Sequence, residues 1–474
     1  MNKLRRNLIY NIIYQILILI IPLITTPYIS RVLGPDGIGI NSYTYSVVYY
    51  FALFGLLGIN NYGNRQIAKA RGDKSIMSKT FWNIYIIQFI MSIITTILYG
   101  LYVIIFSPHY QEIAFIQSLY LISTLLDINW FFFGLEKFKL TVSRNIIIKI
   151  LSTLFIFLLV KTPSDVWIYT LILASSTLLS QFVLWFYARN ELDRPTLIAA
   201  EIKNNFKKCL VLFLPVIAIS LYKFMDKIML GNMSEVQVVG YYNQAERIID
   251  IPLGIITALG TVMLPRISNL VSKNDDEKII KYIDKSMQFM MFLAFPVIFG
   301  LIAISQDFIT MFLGNDFCHS AYIVDWLCVT ILFISFANVL RTQYLIPKEK
   351  DNIYVLSVFS GGIVNLIANL ILIPKMSAVG ASIGTILAEF VVFAIQSFSL
   401  RNNLPIKKYF GYAVAYCLKG AVMFVAIMIV TKLLLNEGPP VFRVIAQMSL
   451  GSTVYLLLNI NYLKSLLFNR KEKK

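Results

Sequence analysis

Six ionisable side chains fall inside two neighbouring apolar runs of this sequence: Lys223, Asp226 and Lys227 in one, Glu246, Arg247 and Asp250 in the next. Spacings of three and four residues place Lys223, Asp226 and Lys227 on one helix face and Glu246 with Asp250 on another, Arg247 lying beside the first of these. Three cations against three anions allow two chemistries. Closed upon one another they form a dry seam of salt bridges that holds two helices together. Opened onto water they form a polar wall on which Arg247 or Lys223 receives an anionic ligand. If the first run crosses a membrane outward and the second inward, Lys223 and Arg247 each lie roughly 10 Å below the outer surface, at about 1.5 Å per residue. The two sets then share one depth.

Asp127, Lys149, Glu389 and Lys419 also lie inside apolar runs. At about 2.5 to 3.5 kcal/mol for each charge, facing all of these groups to lipid costs roughly 25 to 35 kcal/mol, so they must face protein, water or a ligand. Asp127 and Lys149 sit near the ends of their runs, where a simple ion pair is expected. Tyr43, Tyr45, Tyr49 and Tyr50 crowd one stretch. Tyr49 and Tyr50 lie deeper than an interfacial aromatic belt, and their hydroxyls need partners. Tyr45 and Tyr49, four apart on one face, either line a cavity and stack on sugar rings or pack against a neighbouring helix.

Other chemistries have no residues to carry them. Gly72, Asp73, Lys74 and Ser75 stand in the wrong order for a phosphate-binding loop, so ATP hydrolysis by this chain is not expected. His109 and His319 fall in short polar connections and read as solvated surface groups, which leaves no Ser/His/Asp arrangement. Cys209, Cys318, Cys328 and Cys417 are scattered without metal-ligand spacing, so neither a disulfide framework nor a metal site is expected, and no cofactor. Asp36, between Pro35 and Gly37, reads as turn chemistry. The chain is expected not to be an enzyme.

The elements that position these residues are membrane helices. Of 474 residues, 58% are apolar and 14% charged, against about 45 to 50% and about 25% in soluble domains. At about 20 residues per span plus a turn, the length holds on the order of 14 spans and leaves almost nothing for a soluble domain. Apolar runs predict spans over 8–29, 38–60, 81–105, 113–133, 145–161, 167–188, 209–230, 240–265, 287–305, 323–343, 353–373, 380–400, 409–435 and 443–463. The first is too long for a signal-peptide core and is expected to remain as span 1.

With the amino terminus in the cytoplasm, the connections on that side, counted with Arg341 at the edge of its span, hold 32 of the 42 Lys and Arg, and those opposite hold only Arg31, Lys375 and, at a span edge, Lys161. So lopsided a distribution predicts both termini inside, with the net charge of +17 explained by topology and anionic lipid rather than by nucleic acid.

The chain also repeats. Gly39 and Arg65 recur as Gly240 and Arg266, each at an offset of 201, with a glycine opening the span and an arginine closing it. Six spans separate the copies, so the halves share an orientation and a binding site is expected between them. Pro22 and Pro215 interrupt corresponding helices and are candidate hinges, although membrane helices also tolerate proline for no such reason. The expected organisation is all-α: six-helix bundles over 1–200 and 201–404, then an accessory pair with a basic tail over 405–474.

The segment from Pro27 to Gly39, P-Y-I-S-R-V-L-G-P-D-G-I-G, with N-Y-G-N-R-Q-I-A from Asn61 to Ala68, resembles the start of Wzx-type bacterial polysaccharide flippases. These belong to the superfamily that also holds the multidrug exporters and the lipid II flippase. The resemblance implies two six-helix bundles around a central cavity, working by alternating access. It implies transport of undecaprenyl-diphosphate-linked oligosaccharide units to the outer face of the bacterial plasma membrane, for capsule, exopolysaccharide or O-antigen assembly, alongside a polymerase and a chain-length regulator. It matches Arg247, then Lys223, Arg31 and Lys227, to cavity cations that receive the diphosphate. With no ATP motif, Asp226, Glu246, Asp250 and Glu389 are the candidate coupling carboxylates. Spans 13 and 14 resemble the extra pair that shelters the lipid tail in the lipid II flippase. The alternatives are a cation-coupled drug exporter of the same superfamily and a membrane polymerase or glycosyltransferase.

Overall fold

The computed structural model describes residues 3–106, 109–434 and 438–468, and among them helix is the only regular structure. In chain order the helices are α1 (Lys3–Leu56), α2 (Ile59–Ala70), α3 (Lys74–Phe106), α4 (Gln111–Leu126), α5 (Asn129–Gly134), α6 (Phe138–Leu159), α7 (Val166–Glu191) and α8 (Ala199–Met233). There follow α9 (Val236–Ser272), α10 (Asp276–Leu313), α11 (His319–Leu340), α12 (Asp351–Leu400), α13 (Ile406–Leu434), α14 (Pro440–Leu458) and α15 (Ile460–Phe468). Twelve helical segments among the described residues are long and apolar enough to cross a membrane. The basic tail expected to carry Lys471, Lys473 and Lys474 lies outside the described residues.

Two of the twelve hide a reversal or kink. α1 contains Gly34 at φ 66, ψ 179, and α12 contains Ser377 at φ 50, ψ −128, while the other residues of both stay helical. In α12 the two arms run back along each other. Gln396 donates to Ser357 Oγ at 3.0 Å across 39 residues, a separation of about 58 Å in a straight helix. A Cβ on Gly384 would meet Asn369 Oδ1 at 2.1 Å, so the arms touch because no side chain stands there.

Helices also break where apolar patterning shows one run. The expected span 38–60 ends at Leu57 and Gly58, both left-handed (φ 44 and 73), before α2 departs with Ile59, Tyr62, Gly63 and Ile67 buried. The expected span 113–133 breaks between α4 and α5. There Gln88 Nε2 donates to the Thr124 and Asp127 carbonyls at 2.6 and 2.8 Å, while Trp130 Nε1 donates to Gln88 Oε1 at 3.0 Å. Carbonyls released by the break are thereby satisfied inside the protein, as apolar surroundings require.

The chain divides into two compact units, Met1–Gly240 and Tyr241–Lys474. In the first, Trp130, Phe131, Phe81 and Ile67 anchor an aromatic core near one end of the bundle. α8 lies with this unit because it packs on α1, α2 and α3. In the second, α10 packs on α11, α13 and α14. The accessory pair is fixed to α10 at both ends: Arg443 Nη2 meets Asp307 Oδ1 at 2.7 Å, and Lys408 Nζ meets Asp284 Oδ1 at 2.8 Å.

Candidate functional site

In the first unit, the candidate residues lie along the second arm of α1 and the facing part of α8. Tyr43 donates to Asn232 Oδ1 at 2.8 Å and Tyr50 to the Ser220 carbonyl at 2.9 Å, so two hydroxyls buried in apolar helices are satisfied. Tyr49 stacks on Phe224 with ring centroids 3.8 Å apart, and Tyr45 meets Tyr120 edge-on at 5.1 Å. Both rings are half-buried. Of the two settings open to Tyr45 and Tyr49, packing on a neighbouring helix is realised for both, since Tyr45 also meets Phe224 edge-on at 6.2 Å.

Helical spacing gives Lys223, Asp226 and Lys227 one common face, yet their surroundings differ. Asp226 is fully buried and Lys227 nearly so, with Lys227 Nζ 5.6 Å from the Phe224 ring centroid. Lys223 is exposed. Beside them, Asn41 Nδ2 donates to Thr170 Oγ1 at 2.9 Å and Gln117 Nε2 to Thr44 Oγ1 at 3.2 Å. Gln117 Oε1 is buried without a hydrogen bond. Arg31 is exposed on α1, three residues before the kink at Gly34. Pro22 and Pro215 lie within α1 and α8.

A further network surrounds Asp127. Its Oδ1 accepts from the main-chain N–H and Nδ2 of Asn129 at 2.9 and 2.8 Å, and Asn129 Oδ1 accepts from Arg144 Nη2 at 3.0 Å. Asn129 thus links acid and cation, where the sequence suggested a simple pair. Patterning missed Arg144 because it stands one residue before the expected span, where a cation reads as a topology marker.

In the second unit, Glu246 and Arg247 are half-buried in α9 and Asp250 is exposed. Neither a hydrogen bond nor an ion pair engages Arg247 among the described residues. A second polar centre lies at the end of α11, which continues as a π-turn over Arg341–Leu345, a geometry frequent at functional sites. Arg341 Nη2 donates to Asn338 Oδ1 at 3.1 Å, and its guanidinium carbon lies 5.5 Å from the Tyr354 ring. Glu389, 8% exposed, lies within reach of the Arg341 charge. Gln343 is fully buried with neither side-chain polar atom hydrogen-bonded, and Asn338 Nδ2 and Arg341 Nε are likewise unsatisfied. Asn338, Arg341 and Glu389 thus form a buried polar centre, with Gln343 unsatisfied in the same π-turn. Only Glu389 of this group stands out in the sequence. A groove of about 360 Å³ with Phe292, Pro296, Gly300, Met423, Gly451 and Tyr455 in its wall lies where α10, α13 and α14 meet. Its apolar lining suits a hydrocarbon chain.

His109 and His319 are exposed, as their connections suggest. All four cysteines are free thiols. No cluster of His, Cys, Asp or Glu among the described residues has the arrangement to hold a metal ion.

Comparison with known proteins gives a consistent result. The family described as "Polysaccharide biosynthesis protein" matches residues 4–271, and that described as "Lipid II flippase MurJ" matches residues 145–448. A protein of Escherichia coli (strain K12) named "Putative O-antigen transporter" is 24% identical over 85% of this chain and 97% of its own length. The "Lipid II flippase MurJ" of Bacillus subtilis (strain 168) is 26% identical over 38% of this chain and 33% of its own. Among solved structures, that of lipid II flippase MurJ in an inward closed conformation superposes with a TM-score of 0.78, covering 97% of this chain and 99% of the other at 15% identity. The polytopic helical fold is therefore that of the flippase.

Proposed function

Because this chain belongs to the polysaccharide biosynthesis protein family, we propose that it is a flippase for undecaprenyl-diphosphate-linked oligosaccharide units, moving them from the cytoplasmic to the outer face of the bacterial plasma membrane. A diphosphate with several sugars cannot cross hydrocarbon unaided, since each unpaired charge costs several kcal/mol to bury. A wet cationic path for the head group, with the tail left in lipid, removes that barrier. The observation that carries this reading is Arg247, half-buried in an apolar helix and not engaged by any carboxylate among the described residues. A dry seam of salt bridges would have paired it. In this reading Lys223, Lys227 and Arg31 assist with the diphosphate, and Tyr45 and Tyr49 offer ring edges to sugars. Asp226, Glu246, Asp250 and Glu389 are the coupling candidates.

The reading further holds that the reversals at Gly34 and Ser377 raise the twelve candidate segments to fourteen crossings. Both termini then lie in the cytoplasm, with bundles over 1–200 and 201–404 alternating in access around hinges at Pro22 and Pro215. The apolar groove beside α13 and α14 takes the lipid tail, and a polymerase and chain-length regulator receive the product.

The test is complementation of a deletion strain. Arg247→Ala should insert normally yet export at least tenfold less polysaccharide, with lipid-linked units accumulating inside; Arg247→Lys should restore part of the export. Normal export by Arg247→Ala removes the site. Extrusion of a fluorescent organic cation, with lipid-linked sugars unaffected by the deletion, establishes the drug-exporter alternative instead.

A further inference from the structure

We propose that a cationic pocket between α2 and α8 of the first unit is a docking site for the diphosphate head of the lipid-linked substrate, built from residues other than those assigned to transport above. The pocket holds about 320 Å³. From α2 it takes Tyr62, Arg65, Gln66 and Lys69, and from α8 it takes Lys208, Val211 and Leu212. Spacings of three and four residues bring Tyr62, Arg65 and Lys69 to one face of α2, and Lys208, Val211 and Leu212 to one face of α8.

Two contacts fix these faces against each other. A Cβ on Gly58, just before α2, would stand 3.0 Å from both the Cys209 carbonyl oxygen and the Phe213 main-chain nitrogen, so the helix begins against the α8 backbone. One turn on, the Tyr62 hydroxyl donates to Asn205 Oδ1 at 2.7 Å. The wall of the pocket is therefore positioned by the fold itself.

Charge in the pocket has one sign. Arg65, Lys69 and Lys208 are exposed, no wall residue is acidic, and neither a hydrogen bond nor an ion pair engages any of the three among the described residues. Acids close in sequence are taken up elsewhere: Asp73 accepts from the Ser75 and Ile76 main-chain N–H groups at 2.8 and 3.1 Å, and Glu201 meets Lys79 at 2.7 Å. The internal repeat sharpens the contrast. Arg266, the counterpart of Arg65, donates to the Tyr282 hydroxyl and lies over that ring, whereas Arg65 is left to the pocket. Like charges gathered in so small a space repel, and an anion of single charge leaves most of that repulsion in place. A diphosphate carries more than one charge. It can accept two parallel hydrogen bonds from the Arg65 guanidinium while Lys69 and Lys208 act as point charges.

An apolar surface beside the cations identifies the diphosphate as that of a lipid. Val211 is 66% exposed and Leu214, one turn further along α8, is 56% exposed, and after Lys208 no charged residue returns until Lys223. A head group held at the pocket leaves a polyprenyl chain along that surface. The assignment rests on the flippase reading and its orientation, in which this end of α2 lies on the cytoplasmic side, from which the substrate is taken.

The test is binding by the full chain in neutral detergent, read by native mass spectrometry, with undecaprenyl diphosphate and phosphatidylglycerol as probes. Every measurement is made on Arg247→Ala, which removes the principal cation assigned to transport. That protein should bind undecaprenyl diphosphate about tenfold more tightly than phosphatidylglycerol, and adding Arg65→Gln or Lys69→Gln, both at exposed positions, should weaken the diphosphate lipid about tenfold. Unchanged affinity in both of these variants overturns the site. Equal affinity for phosphatidylglycerol overturns the diphosphate assignment, and displacement by millimolar inorganic diphosphate overturns the lipid assignment. Binding is read without transport and without Arg247, so failure of the docking site is separate from failure of the flippase reading.

Discussion

Gly39 in α1 and Gly240 in α9 lie so close that a Cβ on either would overlap the main chain of the other's helix. The added atom would stand 2.0 Å from the Val236 carbonyl oxygen at Gly39, and 2.1 Å from the Pro35 carbonyl oxygen at Gly240. Val236 is to Pro35 as Gly240 is to Gly39: both pairs are 201 residues apart. Gln237 and Asp36 are a third such pair, and Gln237 Nε2 donates to Asp36 Oδ2 at 3.4 Å. Residues that correspond in the repeat therefore touch their own counterparts, which is the local signature of a two-fold relation between the two segments. The closing arginines have diverged. Arg266 lies 4.4 Å from the Tyr282 ring centroid, whereas Arg65 is exposed on α2.

Substituting either glycine should destabilise the first unit. Gly39→Ala and Gly240→Ala force main-chain atoms apart, at about 1–3 kcal/mol each. Gly100→Ala, where a Cβ meets nothing within 4 Å, should be neutral or raise stability by up to about 1 kcal/mol through helix propensity. Thermal unfolding of the purified variants in one detergent ranks them. A Gly39→Ala melting temperature at or above that of Gly100→Ala would show that the helices need no such approach.

The Arg341 and Glu389 charges should be energetically coupled. Arg341→Gln strands a carboxylate that is nearly fully buried, at about 3 kcal/mol. Glu389→Gln should cost less, because Arg341 keeps its hydrogen bond to Asn338. The double variant should lose less than the sum of the two. A double-mutant cycle of thermal stabilities checks this, and additivity within about 0.5 kcal/mol denies the coupling.

What the sequence discloses is decided by the range of the interaction. Apolar runs reveal the helices because each run reports only its own burial, and Pro374 to Gly380 marks a break that the structure places at Ser377. Continuation of α8 back to Ala199 and of α10 to Leu313 escapes the pattern, since polar flanks keep helical hydrogen bonding after the apolar run ends. The break at Asp127 is invisible for another reason: Gln88, on a different helix, satisfies the carbonyls it releases. Lys223, Asp226 and Lys227 are legible as charges, whereas their unequal burial depends on α1. Arg341 and Arg144 lie at the ends of apolar runs, where cations usually mark topology, so only packing reveals their inward placement.

The accessory pair should loosen when its anchor at Asp307 is cut. Asp307 accepts from Arg443 and also, through Oδ2, from Gln447 Nε2 at 3.1 Å, and Gln447 donates further to Thr431 Oγ1 at 3.2 Å. One carboxylate therefore ties α10 directly to α14, and through Gln447 to α13. Asp307→Ala should lower the melting temperature and speed proteolysis between α13 and α14. Lys408→Ala should change stability by less than about 1 kcal/mol, because Lys408 is largely exposed. Equal protease sensitivity in wild type and Asp307→Ala would deny the anchor its role.

The start of α10 should carry a pH-dependent contribution that disappears in acid. Asp275 caps the helix, accepting from the Lys278 main-chain N–H at 3.2 Å and from Lys278 Nζ at 2.5 Å. The Lys278 side chain, then its N–H, holds the carboxyl below the usual aspartate range. A carboxyl whose folded pKa lies below its unfolded value stabilises the fold fully at pH values above the unfolded value of about 3.9. That contribution falls away as the pH drops through the folded value. Asp275→Asn keeps a capping oxygen and removes only the charge. Its melting temperature should lie below that of wild type at pH 7, and the two should converge as the pH falls below about 4. A gap that persists unchanged to pH 3 would mean that the charge on Asp275 contributes nothing and that side-chain shape alone accounts for the difference.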